Sequence, residues 1–201
     1  MELDTYLSRI RPYAKGCPDQ VIRNYLIITL RDICHRANIW RHSDKLFMVK
    51  GIKDYTLTAP AGSEIATVQN ILRQDGTRLE SRDLLPPYIS ASTPYYYRHV
   101  ETTALSVAPI PDKSVMHDIE LTLMPSFAAT EVPDEVGNLT LEFACWGVLA
   151  DLQRMPDEPW TNPQLAEVNR QKYERELNKK RIRGLVGVSG GEQSVTRRRF
   201  V

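Results

Sequence analysis

Asp118 and Glu120 stand two residues apart in the run Met116-His117-Asp118-Ile119-Glu120-Leu121, so on a strand both project to the face opposite Ile119 and Leu121. Paired carboxylates on one face could hold a cation or share acid and base roles, although a solvated strand face accounts for the same pattern. His35, His42, His99 and His117 never fall into pairs at metal-ligand spacing, and neither His-x-x-x-His nor Cys-x-x-Cys occurs. Gly190-Gly191 lacks the strand, lysine and hydroxyl of a phosphate loop; with Gly184 and Gly187 it reads as a helix stop and linker. No catalytic residue, metal or cofactor is expected. Cys17, Cys34 and Cys145 are an odd count without close pairs, which fits a reducing compartment, and Cys34 and Cys145 fall in apolar helical stretches where a thiol acts as a small hydrophobe.

A second kind of chemistry is recognition through charge. Lys179, Lys180, Arg181 and Arg183 end a charged helix expected from Gln164 to Arg183, where they either complement the helix dipole or meet a partner. Arg197, Arg198, Arg199, Phe200 and Val201 close a Gly- and Ser-containing segment that cannot bury enough to fold alone. Basic groups near Tyr95, Tyr96, Tyr97 and Phe200 would also permit binding of nucleic acid, with phosphates on the cations and bases on the rings. Against this stands the balance of 26 basic and 25 acidic residues, a formal net charge of +1, where proteins that wrap phosphate backbone are distinctly basic.

The elements that would position these residues follow from periodicity. Ile22, Leu26, Leu30, Ile33 and Ala37 recur every three or four residues, predicting an amphipathic helix from Asp19 to Asn38 with Asp19 as its N-cap. Residues 1–17, with Tyr6, Ile10 and Tyr13, read as a short arm or helix. Beyond Trp40 the period falls to two through Leu46, Met48, Tyr55 and Leu57, and Asp75-Gly76 marks a hairpin turn. Tyr95-Tyr96-Tyr97 is expected to open a β-type run continuing through Val107, and Ile119, Leu121 and Leu123 form a strand that stops at Pro125. Leu139, Phe143, Trp146 and Ala150 on one side, with Leu141, Cys145, Val148 and Leu152 on the other, predict a helix apolar nearly all round. Trp146, Phe143, Leu149 and Leu152 are thus expected in the core. Pro156, Pro159 and Pro163 then fix a corner, with Asn162 as N-cap and Pro163 at the first position of the final helix.

Arg36-Ala37-Asn38-Ile39-Trp40, the segment from Tyr55 through Pro60 to Ile65, the stretch from Ala144 to Leu152 and the corner Trp160-Thr161-Asn162-Pro163 together resemble the head-to-tail adaptors of tailed bacteriophages. These are the tail tubular protein A-like, portal-binding connectors, and the order of elements matches over roughly residues 20 to 185. The segment from Arg78 to Ser114 carries no part of the likeness. The resemblance implies a structural, non-enzymatic virion protein of the head-tail junction, forming a twelve-fold ring of copies under the portal protein. Such a ring joins the portal to the next tail component, a nozzle or tail tube or neck protein, and lets genomic DNA pass without sequence-specific binding. It also implies that the C-terminal residues 197–201 dock on the portal. The expected fold is α+β, a bundle of about three main helices with an inserted antiparallel β-rich lobe. Residues 1–188 would form one adaptor domain, helical over 18–40 and 133–188 and β-rich over 41–125, followed by a flexible tail at 189–201. No secretion signal and no run of some eighteen apolar residues is present, so a membrane location is not expected.

Overall fold

The computed structural model describes residues 1–87 and 91–186. Among them run α1 (Asp4–Ile10), a 3-10 turn (Arg11–Tyr13), α2 (Asp19–Ala37), β1 (Arg41–Met48), β2 (Asp54–Thr56), β3 (Ser63–Leu72), β4 (Glu80–Ser81), β5 (Tyr96–His99), β6 (Ala104–Ala108), β7 (Val115–Pro125), α3 (Asp134–Leu152) and α4 (Pro163–Val186). The chain is a mixed α+β protein in which every described strand lies between α2 and α3.

The apolar repeat of α2 buries Ile22, Leu26, Leu30 and Ile33 completely against α3, α4 and the N-terminal helix. Each such side chain contributes on the order of 1.5–3 kcal/mol. The N-terminal segment is not a loose arm. Leu3, Tyr6, Leu7 and Ile10 are fully buried, and the Tyr6 hydroxyl lies 2.8 Å from Thr140 Oγ1 in α3. Asp19 does not cap α2: Pro18 occupies the N-cap with no side-chain bond, while Asp19 accepts two hydrogen bonds from Arg11 at 2.9 and 2.7 Å. A bidentate guanidinium leaves that carboxylate little reason to turn back on its own helix.

Helix α3 is enclosed on only part of its circumference. Phe143, Leu149 and Leu152 are buried, but Trp146 is only partly buried and Leu139 is 47% exposed. The expectation that Trp146 belongs to the core is therefore corrected, because its ring lies at the rim between α3 and α4 with Lys172 Nζ 5.7 Å away. The helices approach closely at Gly147, where a Cβ would stand 2.7 Å from Thr29 Cγ2 and 3.0 Å from the Tyr173 ring. A hydrogen at that position lets α2, α3 and α4 meet. Tyr173 crosses this junction, stacked on Phe143 at 6.2 Å and donating a 2.7 Å hydrogen bond to Asp32 in α2. Arg36 extends the network, binding Asp32 and gripping Glu174 at 3.0 and 2.6 Å.

The corner before α4 is tied by the Asn162 amide donating to the Gln153 carbonyl at 2.9 Å and by Thr161 Oγ1 donating to the Met155 carbonyl. Asn162 Oδ1 accepts from the Leu165 amide at 3.0 Å, with Pro163 starting the helix. Asn162→Ala is expected to lower stability by about 1 kcal/mol, measured by urea titration, because a first-turn amide loses its acceptor. Along α4 the buried stripe is Ala166, Asn169, Tyr173 and Leu177, and Leu165 is exposed.

The strands form two sheets, ordered β1-β7-β3 and β2-β6-β5-β4. Their inward faces share one core of Leu46, Ile65, Ile71, Ile119, Leu121 and Leu123 from the first sheet and Leu57, Tyr97, Leu105 and Val107 from the second. The turn at Asp75-Gly76 has Gly76 at φ +80, a conformation open to glycine, and is closed by the bridge between Leu72 and Arg78. The expected continuous run from Tyr95 to Val107 is instead two antiparallel strands, β5 and β6, with residues 100–103 turning between them. The sheets meet the helices through α2. Arg31 binds Glu64 Oε2 and the Pro125 carbonyl, and Gln69 Nε2 donates to Asn38 Oδ1 and Thr122 Oγ1, each at 3.0 Å. Asn38 ends α2 in the left-handed region at φ +50, which asparagine tolerates and which aims the chain into β1.

Candidate functional site

Asp118 and Glu120 do lie together on the outer face of β7, both exposed. Lys45 stands opposite Asp118 in β1, and Glu120 accepts a 2.6 Å hydrogen bond from Asn70. Among the described residues no group of three His, Cys, Asp or Glu side chains could hold a metal ion. Asp118→Ala combined with Glu120→Ala is expected to shift stability by no more than about 0.5 kcal/mol in a denaturant titration, as for ordinary surface changes. The histidines are dispersed in role as well as in sequence: burial holds His117 and His99 below their usual range, and His117 also bonds the Leu72 backbone.

The two buried thiols carry no catalytic signature. Burial pushes Cys34 and Cys145 from an ordinary 9.0 up to about 12, away from thiolate chemistry. Tyr6 is likewise pushed from 10.0 up to about 12 by burial. These groups stay neutral in the fold where they would ionise in the unfolded chain. Their stabilisation is complete below pH 9 and is lost as pH rises from 9 towards 12. Thermal melts taken between pH 8 and 12 are expected to show Tm constant below about 9 and falling above it, with a shallower fall in Cys34→Ala because Cys145 still contributes.

The basic end of α4 is exposed at Lys179 and Arg181 and partly buried at Lys180, while Lys179 Nζ is held by Glu176 at 2.6 Å. The Arg183 side chain and residues 197–201 lie outside the described residues, so the basic groups are not brought to one described surface. Of the three adjacent tyrosines, Tyr97 is buried with its hydroxyl on the Val68 carbonyl, which removes it from any base-stacking platform. The faces of Tyr95 and Tyr96 already carry the guanidiniums of Arg73 and Arg82 at 4.5 and 4.0 Å.

An apolar groove of about 510 Å³ lies between the N-terminal turn, α3 and α4. Trp146 and Leu149 line it, Tyr13 and Leu165 stand at its side, and Arg9 and Lys172 flank it. It continues past Tyr13 and Leu165 into a cleft of about 230 Å³ that reaches Trp160. Sequence reasoning placed Trp146 in the core and so missed the groove. The available signal was Leu139 and Trp146, seven residues apart on α3, matched by Leu165 and Val168 on α4, which together exceed what the narrow buried stripe of α4 requires. Asn169 in the groove lining and Gln153 in that of the adjoining cleft, joined by a buried 3.0 Å hydrogen bond, were also not foreseen. No helix among the described residues is long and apolar enough to cross a membrane. No protein-family model matches the sequence, and no curated protein matches it.

Proposed function

We propose that the chain is a structural head-to-tail adaptor of a tailed bacteriophage, non-enzymatic, with copies that form a twelve-fold ring beneath the portal protein and pass genomic DNA through the lumen. Residues 1–188 act as one adaptor domain, a helical bundle carrying an inserted β-rich lobe, and residues 189–201 are a flexible tail that binds the portal in the virion. The single observation that carries the reading is the order of elements. An amphipathic helix ends at Ala37, just before Trp40, strands fill the interval to Pro125, and a largely buried helix turns through Trp160-Thr161-Asn162-Pro163 into a long solvated helix. The division of labour is physically apt, because helices locked through Gly147 and Tyr173 give a stiff body, and a ring multiplies weak contacts through avidity.

The test is a mixture of the protein with the portal of the phage that encodes it, viewed by negative-stain electron microscopy. An added ring on the portal is expected, while sedimentation of the protein alone at about ten micromolar should give mainly monomer. A closed ring without portal, or no complex with portal, would overturn the proposal. Salt-sensitive binding to a generic oligonucleotide in place of portal binding would favour a nucleic-acid-binding accessory protein instead.

A further inference from the structure

Leu84 is the most exposed of the large hydrophobic side chains described, at 79%, and it sits in Asp83-Leu84-Leu85-Pro86-Pro87, which belongs to no helix or strand. Leaving a leucine this open costs free energy that docking would recover. The helical groove has the opposite character. Its walls are Trp146, Leu149, Tyr13 and Leu165, and Arg9 and Lys172 flank it.

Several cations of the helical surface are already paired. Arg11, Arg23, Arg31, Arg36, Arg154 and Arg170 each hold a carboxylate. Among the described residues Arg9 and Lys172 hold no carboxylate and Asp83 holds no cation. Glu142 is the acid in the groove lining, against two bases, so an incoming carboxylate meets a net positive rim.

We propose that the Asp83–Pro87 segment of one copy docks in the groove of a second copy, with Leu84 against Trp146, Leu149 and Leu165 and the Asp83 carboxylate between Arg9 and Lys172. Pro86 and Pro87 fix the backbone in an extended form, which lowers the ordering cost of docking. They run towards Tyr13 and the neighbouring cleft that ends at Trp160, and aromatic-lined grooves of this kind accept extended proline segments. None of the groove lining comes from the lobe that carries the Asp83–Pro87 segment.

The two surfaces are different, so the contact is heterologous. Each copy offers one loop and one groove, and successive contacts either close a ring or continue as a filament. The proposal deepens the ring reading above and rests on it for the identity of the occupant.

Disulfide trapping between two variants of the full chain tests the contact. A Leu84→Cys variant is mixed with a Leu165→Cys variant under mild oxidation, and Leu84→Cys with Phe127→Cys serves as the control at another exposed apolar position. The groove pair is expected to cross-link about ten-fold faster than the control pair. Adding Lys172→Glu to the groove variant should slow trapping, and adding Asp83→Lys to the loop variant should restore it; thermal melts confirm that every variant is folded. Equal rates for groove and control pairs, or no response to the charge changes, overturn the contact. A protein that binds portal yet gives either of those results loses this contact and keeps the adaptor reading; one that traps as expected but ignores portal loses the adaptor reading and keeps the contact.

Discussion

Tyr173→Ala will remove about 3–5 kcal/mol of stability, measured as a fall in the urea midpoint with an unchanged slope. The ring is buried where three helices converge, stacked on Phe143 and facing the position that Gly147 leaves without a side chain. Cutting it to a methyl group opens a cavity that the surrounding helices cannot close, since their spacing is set by other contacts along their length. The control is Tyr173→Phe. It keeps the ring and deletes the 2.7 Å bond to Asp32, whose carboxylate retains Arg36, so the loss should be about 1 kcal/mol. If the two variants lose equal stability, the hydroxyl rather than the packed ring dominates and the cavity argument fails. A loss of this size is a large share of what holds an ordinary domain together.

The second large effect concerns attachment. Truncation after Ser189 removes Arg197, Arg198, Arg199, Phe200 and Val201 and is expected to abolish portal binding while leaving Tm unchanged. Three arginines able to pair with carboxylates, next to an aromatic and an aliphatic anchor, give a modest contact per copy, and repetition around a ring makes that contact decisive. Portal pull-down with the truncated protein is the measurement. Retention at wild-type affinity would show that the portal is held by another surface. The truncation leaves both the groove and the Asp83–Pro87 segment intact, so trapping between copies should continue, which separates attachment from lateral association.

The helices were the most legible part of the sequence. Ile22, Leu26, Leu30 and Ile33 repeat at helical spacing because one face meets a core, and all four are buried. Asn162-Pro163 announced the start of α4 because that pair satisfies an amide and fixes a dihedral angle locally, without help from distant residues. Ile119, Leu121 and Leu123 likewise alternate inward along β7. What could not be read depended on partners outside the element itself. Asp19 has the chemistry of an N-cap, yet Arg11 claims it. The tyrosines from Tyr95 to Tyr97 look like the start of a long strand, and only pairing between β5 and β6 shows where the chain reverses. Trp146 was the instructive error. An apolar helix implies neighbours, but hydrophobicity alone does not tell whether those neighbours belong to the same chain, and the candidate groove owes its existence to that difference.

The adjacency of Trp40 and Leu123, whose carbonyl and amide are joined at 2.8 Å, bears on how the chain reaches its native state. β1 and β7 pair with Arg41 opposite Thr122, so the polypeptide leaves α2 and returns towards α3 at nearly the same point. Before the sheets form, bringing α2 against α3 means closing a loop that contains the seven described strands, and the entropic cost grows by about 0.6 kcal/mol for each doubling of loop length. After they form, the helices are joined by what is kinetically a short connection. The strands should therefore acquire protection from hydrogen exchange no later than the contacts between α2 and α3 during refolding. By the same logic, lengthening the turn at Asp75-Gly76, far from this crossing point, should leave the rate of helix docking nearly untouched.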